Sequence, residues 1–344
     1  MAAPADTSRV SDARRSARRA EKAPSGGWRT IAGKELADHL ESVRFVVLLI
    51  VIGIAAIVPM YFISTDISAA APQVAGQPAL FLVLFIGGSE QVGGVPMIAL
   101  AALLVPLVGI AFGFDGINSE RAQGTLSRLL AQPIHRDDVI NGKFVAGIAV
   151  IALMLTALVV LVTALGIVRL GIIPSAEELA RVVVWLLATV LYASFWLAFA
   201  LLLSVVIRGP ASAALVGFGT WFGLTLFGQF LLPLVANFLF PPTTTTLGQY
   251  AFASTQSAAT FLRISPAVLY DDIVRAVMNP STTSVLGFGN IGQAISDAER
   301  VQTSLLTLDQ SILLVWPQIV VLTALTTAMF ALAYVLFLRQ EVRA

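Results

Sequence analysis

Apolar positions in this chain are gathered into long blocks, and the polar positions fall in the intervals between them. Six blocks contain no Lys, Arg, Asp or Glu: Phe45–Ile63, Val95–Phe114, Phe144–Val168, Val182–Ile207, Ala211–Phe240 and Ile312–Leu338. A helix needs about 20 apolar residues to cross the hydrocarbon core of a bilayer. Lipid offers the backbone no hydrogen-bond partner, so only helices and closed barrels span it. These blocks are too long and too continuous for barrel strands. The pattern predicts an all-α integral membrane protein with six transmembrane helices. A further apolar stretch, Ala79–Gly88, is too short to cross and reads as an interfacial or re-entrant helix on the outer face.

Composition agrees with that picture. Hydrophobic residues make up 57% of the chain and charged residues 12%, with a mean hydropathy of +0.87, whereas soluble domains carry roughly 25% charged residues. The net charge of +1 gives no case for nucleic acid. Cysteine is absent, which removes disulfides, thiolate metal sites and a cysteine nucleophile. His39 and His135 are the only histidines, too few for a histidine-based metal site. No metal or cofactor is expected in this chain.

The placement of Lys and Arg predicts sidedness. Nine lie before residue 45, four in 115–143, one at Arg208, and two at Arg339 and Arg343. With six spans these sixteen share one side, against five on the other: Arg169, Arg181, Arg263, Arg275 and Arg300. Both termini are therefore expected in the cytoplasm of a cell whose plasma membrane holds the protein.

The intervals divide the chain. Residues 1–26 form a basic tail expected to be disordered and to lie near anionic lipid headgroups. Its "ARRSARRA" is no twin-arginine leader, because the first apolar run begins too late. Residues 27–44 repeat apolar positions at Trp28, Ala32, Leu36, Leu40 and Val43, with charges mostly between them. That is an amphipathic helix for the cytoplasmic interface, with His39 a solvated surface histidine. The six-span domain covers 45–338, with a cytoplasmic loop at 115–143 and an outer loop at 241–310; 339–344 is a short tail. In the outer loop, Ser265 and Pro266 start a helix and Asn279-Pro280 stop it. Asp271 and Asp272 read as its solvated face, paired with Arg275.

The loop "GFDGINSERAQGTLSRLLAQPIHRDDVINGKF" (Gly113–Phe144) is the interior segment densest in charge. A short helix is expected from Ser119 to Ala131, capped by Asn118 or Ser119 and ended by Pro133. Glu120 in its first turn suits the helix dipole. Leu126, Leu129 and Leu130 form an apolar ridge. Gly124, a poor helix residue, suggests close approach of another backbone. A second helix starts near Asp137-Asp138 and runs through Lys143 into the third span. The whole reads as a docking surface for a cytoplasmic partner, or as a loop helix packed only on its own spans.

Glu120, Arg121, Gly124, Thr125, Leu126, Leu129, Leu130, Pro133, Arg136, Gly142 and Lys143 resemble the signature of type-2 ABC-transporter permeases. That pattern is close to E-R-E-x-G-T-L-x-x-L-L-x-x-P-x-x-R-x-x-x-x-x-G-K; Ala122 departs from its third, acidic letter. The resemblance extends in outline to the whole chain, and in layout is closest to the permeases linked to nitrous-oxide-reductase maturation. It implies that this segment is a coupling helix seated in a separate ABC ATP-binding subunit, which holds ATP and Mg. It also implies a second permease copy, identical or paralogous, and export as the direction of transport.

Absences narrow the alternatives. There is no phosphate loop of the G-x-x-x-x-G-K-[ST] type, so ATP hydrolysis is expected in another chain. The spans hold no ionisable residue of the kind ion-coupled carriers use, and no paired carboxylates or Ser–His pair for an intramembrane enzyme. Gln229, Asn237 and Gln318 are expected to bond between helices, and Pro106 and Pro317 to kink theirs. Trp185, Tyr192, Trp196, Trp221 and Phe222 are expected to pack or face lipid. A non-transporting membrane scaffold or immunity-type protein that docks a cytoplasmic partner is the competing reading.

Overall fold

The computed structural model describes residues 27–70, 79–124, 135–239, 260–279 and 306–340. Every described element is helical. A short helix, α1 (Gly27–Leu40), precedes the first long one, α2 (Val43–Ala69). Ser42 makes the corner between them. Its hydroxyl donates to the His39 carbonyl at 2.6 Å and accepts from the Phe45 N–H at 3.2 Å, capping α2. Then come α3 (Leu80–Ile86), α4 (Met97–Gly113), the short α5 (Asn118–Ala122), α6 (Arg136–Leu170) and α7 (Ala176–Val206). The chain continues through α8 (Pro210–Phe222), a π-helical turn (Gly223–Phe227) and α9 (Gly228–Leu239). It ends with α10 (Pro266–Met278) and α11 (Leu308–Arg339).

Among the described residues five helices are long and apolar enough to cross a membrane: α2, α4 with its continuation through α5, α6, α7 and α11. Each contains or nearly contains one of the apolar blocks and extends past it into polar caps, such as Ser175–Glu178 at the start of α7. The remaining block, Ala211–Phe240, is helical from Pro210 to Leu239 but is not one α-helix. Gly223 and Gly228 bound the π turn, and Pro233 lies inside α9. Weak helix formers at both ends let one residue be inserted there. Pro106 and Pro317 lie inside α4 and α11.

α7 is central, packed on α4, α6, α10 and α11. It meets α4 closely because α4 presents glycine at two positions one turn apart. A Cβ on Gly109 would stand 2.5 Å from the Ala193 carbonyl oxygen, and one on Gly113 2.8 Å from that of Leu197. Small residues at this spacing let membrane helices approach backbone to backbone. The outward faces of α2, α9 and α11 stay apolar, with Ile50, Ile54, Phe238, Leu313 and Val320 exposed.

Two expectations are corrected at the end of the bundle away from the 115–143 loop. Of the two readings offered for α3, the interfacial one is set aside: Phe81, Leu82, Leu84 and Phe85 are fully buried. Too short to cross, it instead plugs the space between α2, α4 and α7, and Glu178 accepts from the Phe81 N–H at 2.9 Å. Nor is α10 solvated along its acidic face. Asp271 does pair with Arg275 at 2.7 Å, but Asp272 turns inward and is buried. It pairs with Arg263 at 2.9 Å and faces Gln318 of α11 at 3.4 Å. Burial raises the Asp272 carboxyl above its ordinary pKa despite Arg263. Asn237 is exposed rather than bonded across a helix interface. The calls on residues 1–26, on most of the 241–310 loop and on 341–344 lie outside the described residues.

Candidate functional site

The base of the 115–143 loop is built by residues of α1, α2, α4, α5, α6 and α7 and the end of α11. After α4 the chain turns at Phe114–Ile117 and enters α5. The expected caps, Asn118 and Ser119, do not cap it. The hydroxyl of Ser204 in α7 takes that role from outside, accepting from the N–H groups of Ile117 at 2.8 Å and Asn118 at 3.1 Å. The Asn118 side chain is fully buried and donates to the carbonyls of Phe114 and Ile207. α5 therefore starts locked onto the end of α7.

Lys143, about two turns into α6, is only 7% exposed. Its Nζ lies 2.8 Å from Glu35 Oε1 on α1 and 2.8 Å from Glu120 Oε1 on α5. A buried ammonium without a partner is strongly unfavourable; with two carboxylates and hydrogen bonds to each it becomes a clasp. The first and last charged residues of the loop motif, Glu120 and Lys143, thus meet at one point. Glu35, which the sequence pattern left unremarked on α1, completes it. Gly142 makes room: a Cβ there would stand 2.7 Å from Ile31 and 3.0 Å from the Trp28 carbonyl, so α1 lies directly on α6.

A second clasp fixes the start of α2. Arg44 binds Asp115 in a two-pronged pair at 3.0 and 2.6 Å, donates to the Ala111 carbonyl at 2.7 Å and lies over the Phe114 ring. His39 corrects its expectation. It is half-buried and meets Phe112 edge to face at 5.1 Å. Burial lowers its pKa below 6.5, opposed chiefly by Glu35 and reinforced by Lys143.

Gly124 also differs from expectation. It does not sit inside a helix against another backbone. It follows the end of α5 with φ of +69°, and no atom lies within 4 Å of where its Cβ would be. A left-handed conformation is what glycine supplies at a helix end. The described helix thus stops at Ala122 rather than Ala131. Thr125, Leu126, Leu129, Leu130 and Pro133 lie outside the described residues.

Arg121 and Arg136, on either side of that segment, converge on Gln340 at the end of α11. Arg121 donates to the Gln340 side-chain oxygen and Arg136 to its backbone carbonyl, at 3.3 Å. Gln340 Nε2 in turn donates to the Val205 carbonyl at 2.8 Å. α6 itself opens at His135, whose N–H is held by Asp138 at 3.3 Å.

Among the described residues no three His, Asp or Glu stand together as a metal site would need. The aromatics of α7 pack rather than face outward. Trp185, Tyr192 and Trp196 are buried, and Tyr270 of α10 stacks on Tyr192 at 4.5 Å. Glu35, Asp115, Ser204 and Gln340 are the site residues that sequence reasoning missed. The single signal available was a lysine abutting an apolar block, which demands a carboxylate from elsewhere.

Comparison with known proteins adds two findings. The family model described as ABC-2 family transporter protein matches residues 29–342. The chain is also 30% identical, over 143 residues, to a protein of Stutzerimonas stutzeri described as probable ABC transporter permease protein NosY. That match takes in 40% of this chain and spans half the length of the relative.

Proposed function

The chain belongs to the ABC-2 family of transporter proteins and is a multi-pass membrane permease; from that premise we propose that it is the permease subunit of an ATP-driven exporter, moved by a separate ATP-binding subunit that docks on the 115–143 loop. The observation that supports this most is the Lys143 clasp. It ties the loop's first helix to α1 and α6, so a force applied to the loop reaches the bundle instead of dissipating in a flexible tether. Glu120, Arg121, Gly124, Arg136 and Lys143 frame the docking segment, and Thr125, Leu126, Leu129 and Pro133 lie within it. ATP and Mg are held by the partner.

In this reading Pro210–Leu239 is the fifth span in chain order and completes the set of six, with its π turn inside the membrane. The loop and both termini face the cytoplasm across the plasma membrane. A second permease copy covers exposed apolar surface of α2, α9 or α11. ATP binding acts through a difference in affinity between the inward and outward states. Loop and bundle are tested separately by two variants. Co-expressed with ABC-type ATP-binding subunits of the same genome, wild type and Glu120→Gln should co-purify with one of them, while Leu129→Asp should lose it and keep its own elution profile. Retention by Leu129→Asp equal to wild type would sink the assignment of the docking segment.

A further inference from the structure

Gln340 occupies a place that the loop's own charges do not explain. It follows the last residue of α11, and its backbone N–H still bonds to the Phe337 carbonyl at 3.3 Å. Its side-chain oxygen accepts from Arg121, its backbone oxygen accepts from Arg136, and its Nε2 donates to Val205, one residue before the end of α7. Arg121 lies before the docking segment and Arg136 after it, so one residue holds both flanks. Neither arginine meets a carboxylate among the described residues. Arg121 reaches the end of α11 through the Gln340 side-chain amide, and Arg136 through the backbone carbonyl of the same residue.

The chemistry singles out glutamine. A side-chain amide accepts and donates on one group. A carboxylate would accept from Arg121 but could not donate to the Val205 carbonyl; a lysine would donate and could not accept. The contact is also unlike the Lys143 clasp. Lys143 is buried between opposite charges, whereas Gln340 is neutral and half-buried, and Arg136 is exposed. Water competes for such bonds, so they can exchange while the clasp stays shut.

We propose that Gln340 is a positioning residue, acting beside the Ser204 contact, through which displacement of the loop reaches α7 and α11 together. The inference rests on the loop being the ATPase docking site. The loop pivots on Lys143, which ties it to α1 and α6, and Gln340 makes the α7–α11 pair follow. That pair is extensively packed, so its ends move together.

The test uses the absence of cysteine from the chain. Val206→Cys, exposed at the end of α7, takes an environment-sensitive fluorophore before assembly with the ATP-binding subunit. In the otherwise wild-type complex, ATP should change the emission. Adding Gln340→Ala should leave the ATPase bound and cut that change by half or more, and adding Arg339→Ala should preserve it. Gln340→Glu, which keeps the acceptor for Arg121, guards against misfolding of the alanine variant; it should also bind the ATPase and lose most of the response. A full response in either Gln340 variant with the ATPase bound overturns the proposal. If wild type binds no ATPase, the docking assignment itself fails, and the proposal falls with it.

Discussion

Among the described residues each end of the bundle buries one cation, and the two are held in opposite ways. At the loop end Lys143 is held by two carboxylates from two other helices. At the far end Arg181, near the start of α7 and 1% exposed, has one carboxylate, that of Glu177 four residues away and half-exposed. Its other partners are neutral: the Val277 carbonyl at 2.8 Å, the Ser311 hydroxyl at 3.2 Å and the Leu306 carbonyl. Lys143 is thus an electrostatic clasp whose strength depends on three charges. Arg181 is a geometric pin: its planar fork satisfies oxygens at the end of α10 and the start of α11 at once. The end that is proposed to move is tied by charge; the end that is not is tied by backbone.

The contrast is broken most severely at the pin. Arg181→Met strands two buried oxygens, those of Val277 and Ser311, and the part-buried Leu306 carbonyl, and Arg181→Lys lacks the fork to reach them. Each buried group left without its partner should cost about 1–3 kcal/mol, read together as a large drop in the melting temperature of the detergent-solubilised protein. Wild-type melting for Arg181→Lys would contradict the geometric account. Lys143→Met comes next, because it leaves Glu35 and Glu120 facing each other. Here the damage is repairable: adding Glu35→Gln and Glu120→Gln should restore most of the lost stability, whereas no neutralisation of Glu177 should rescue Arg181→Met. Failure of the triple variant to recover would mean that packing, not charge, governs the clasp.

Smaller effects sharpen the picture. Tyr270 bonds through its hydroxyl to Trp185 Nε1 at 3.1 Å and to the Thr189 hydroxyl at 2.8 Å, fixing α10 on α7. Tyr270→Phe should lose about 1–3 kcal/mol for the stranded partners, visible in the same melting assay. His39 should give the smallest effect. Its folded-state pKa lies below 6.5 because burial favours the neutral ring. The folded state therefore binds fewer protons than the unfolded state in that range. Its contribution is complete above pH 6.5 and is lost as pH falls through the lower, folded value. A His39→Phe variant should flatten that part of the pH–stability curve; an unchanged slope would show that another group titrates there.

What the sequence made legible follows from the range of each interaction. Long apolar blocks placed five helices, because hydrophobic length is a local property that lipid enforces. The Asp271–Arg275 pair was legible because four residues is one helical turn. The Asp272–Arg263 and Lys143–Glu35 pairs were not, since their partners are set by how helices pack. The loop motif marked Glu120 and Lys143 as a pattern but gave no hint that they touch. Gly124 was misread for a related reason: its poor helix propensity is equally consistent with a crowded helix interior and with a helix end, and only φ separates them. The π turn in 223–227 likewise leaves no mark in hydropathy, because its residues are as apolar as their neighbours.

The central claim, that the 115–143 loop receives an ATP-binding subunit, is tested most directly by photo-cross-linking. The only cysteine in the chain would be an introduced one, Leu129→Cys in the loop or Ile173→Cys at the far end, carrying a benzophenone. Ile173 is 83% exposed, so the control site can be labelled on folded protein. The account predicts an adduct containing the ATP-binding subunit from position 129 and none from position 173. Absence of that adduct from well-folded protein, or equal capture at both positions, would contradict it.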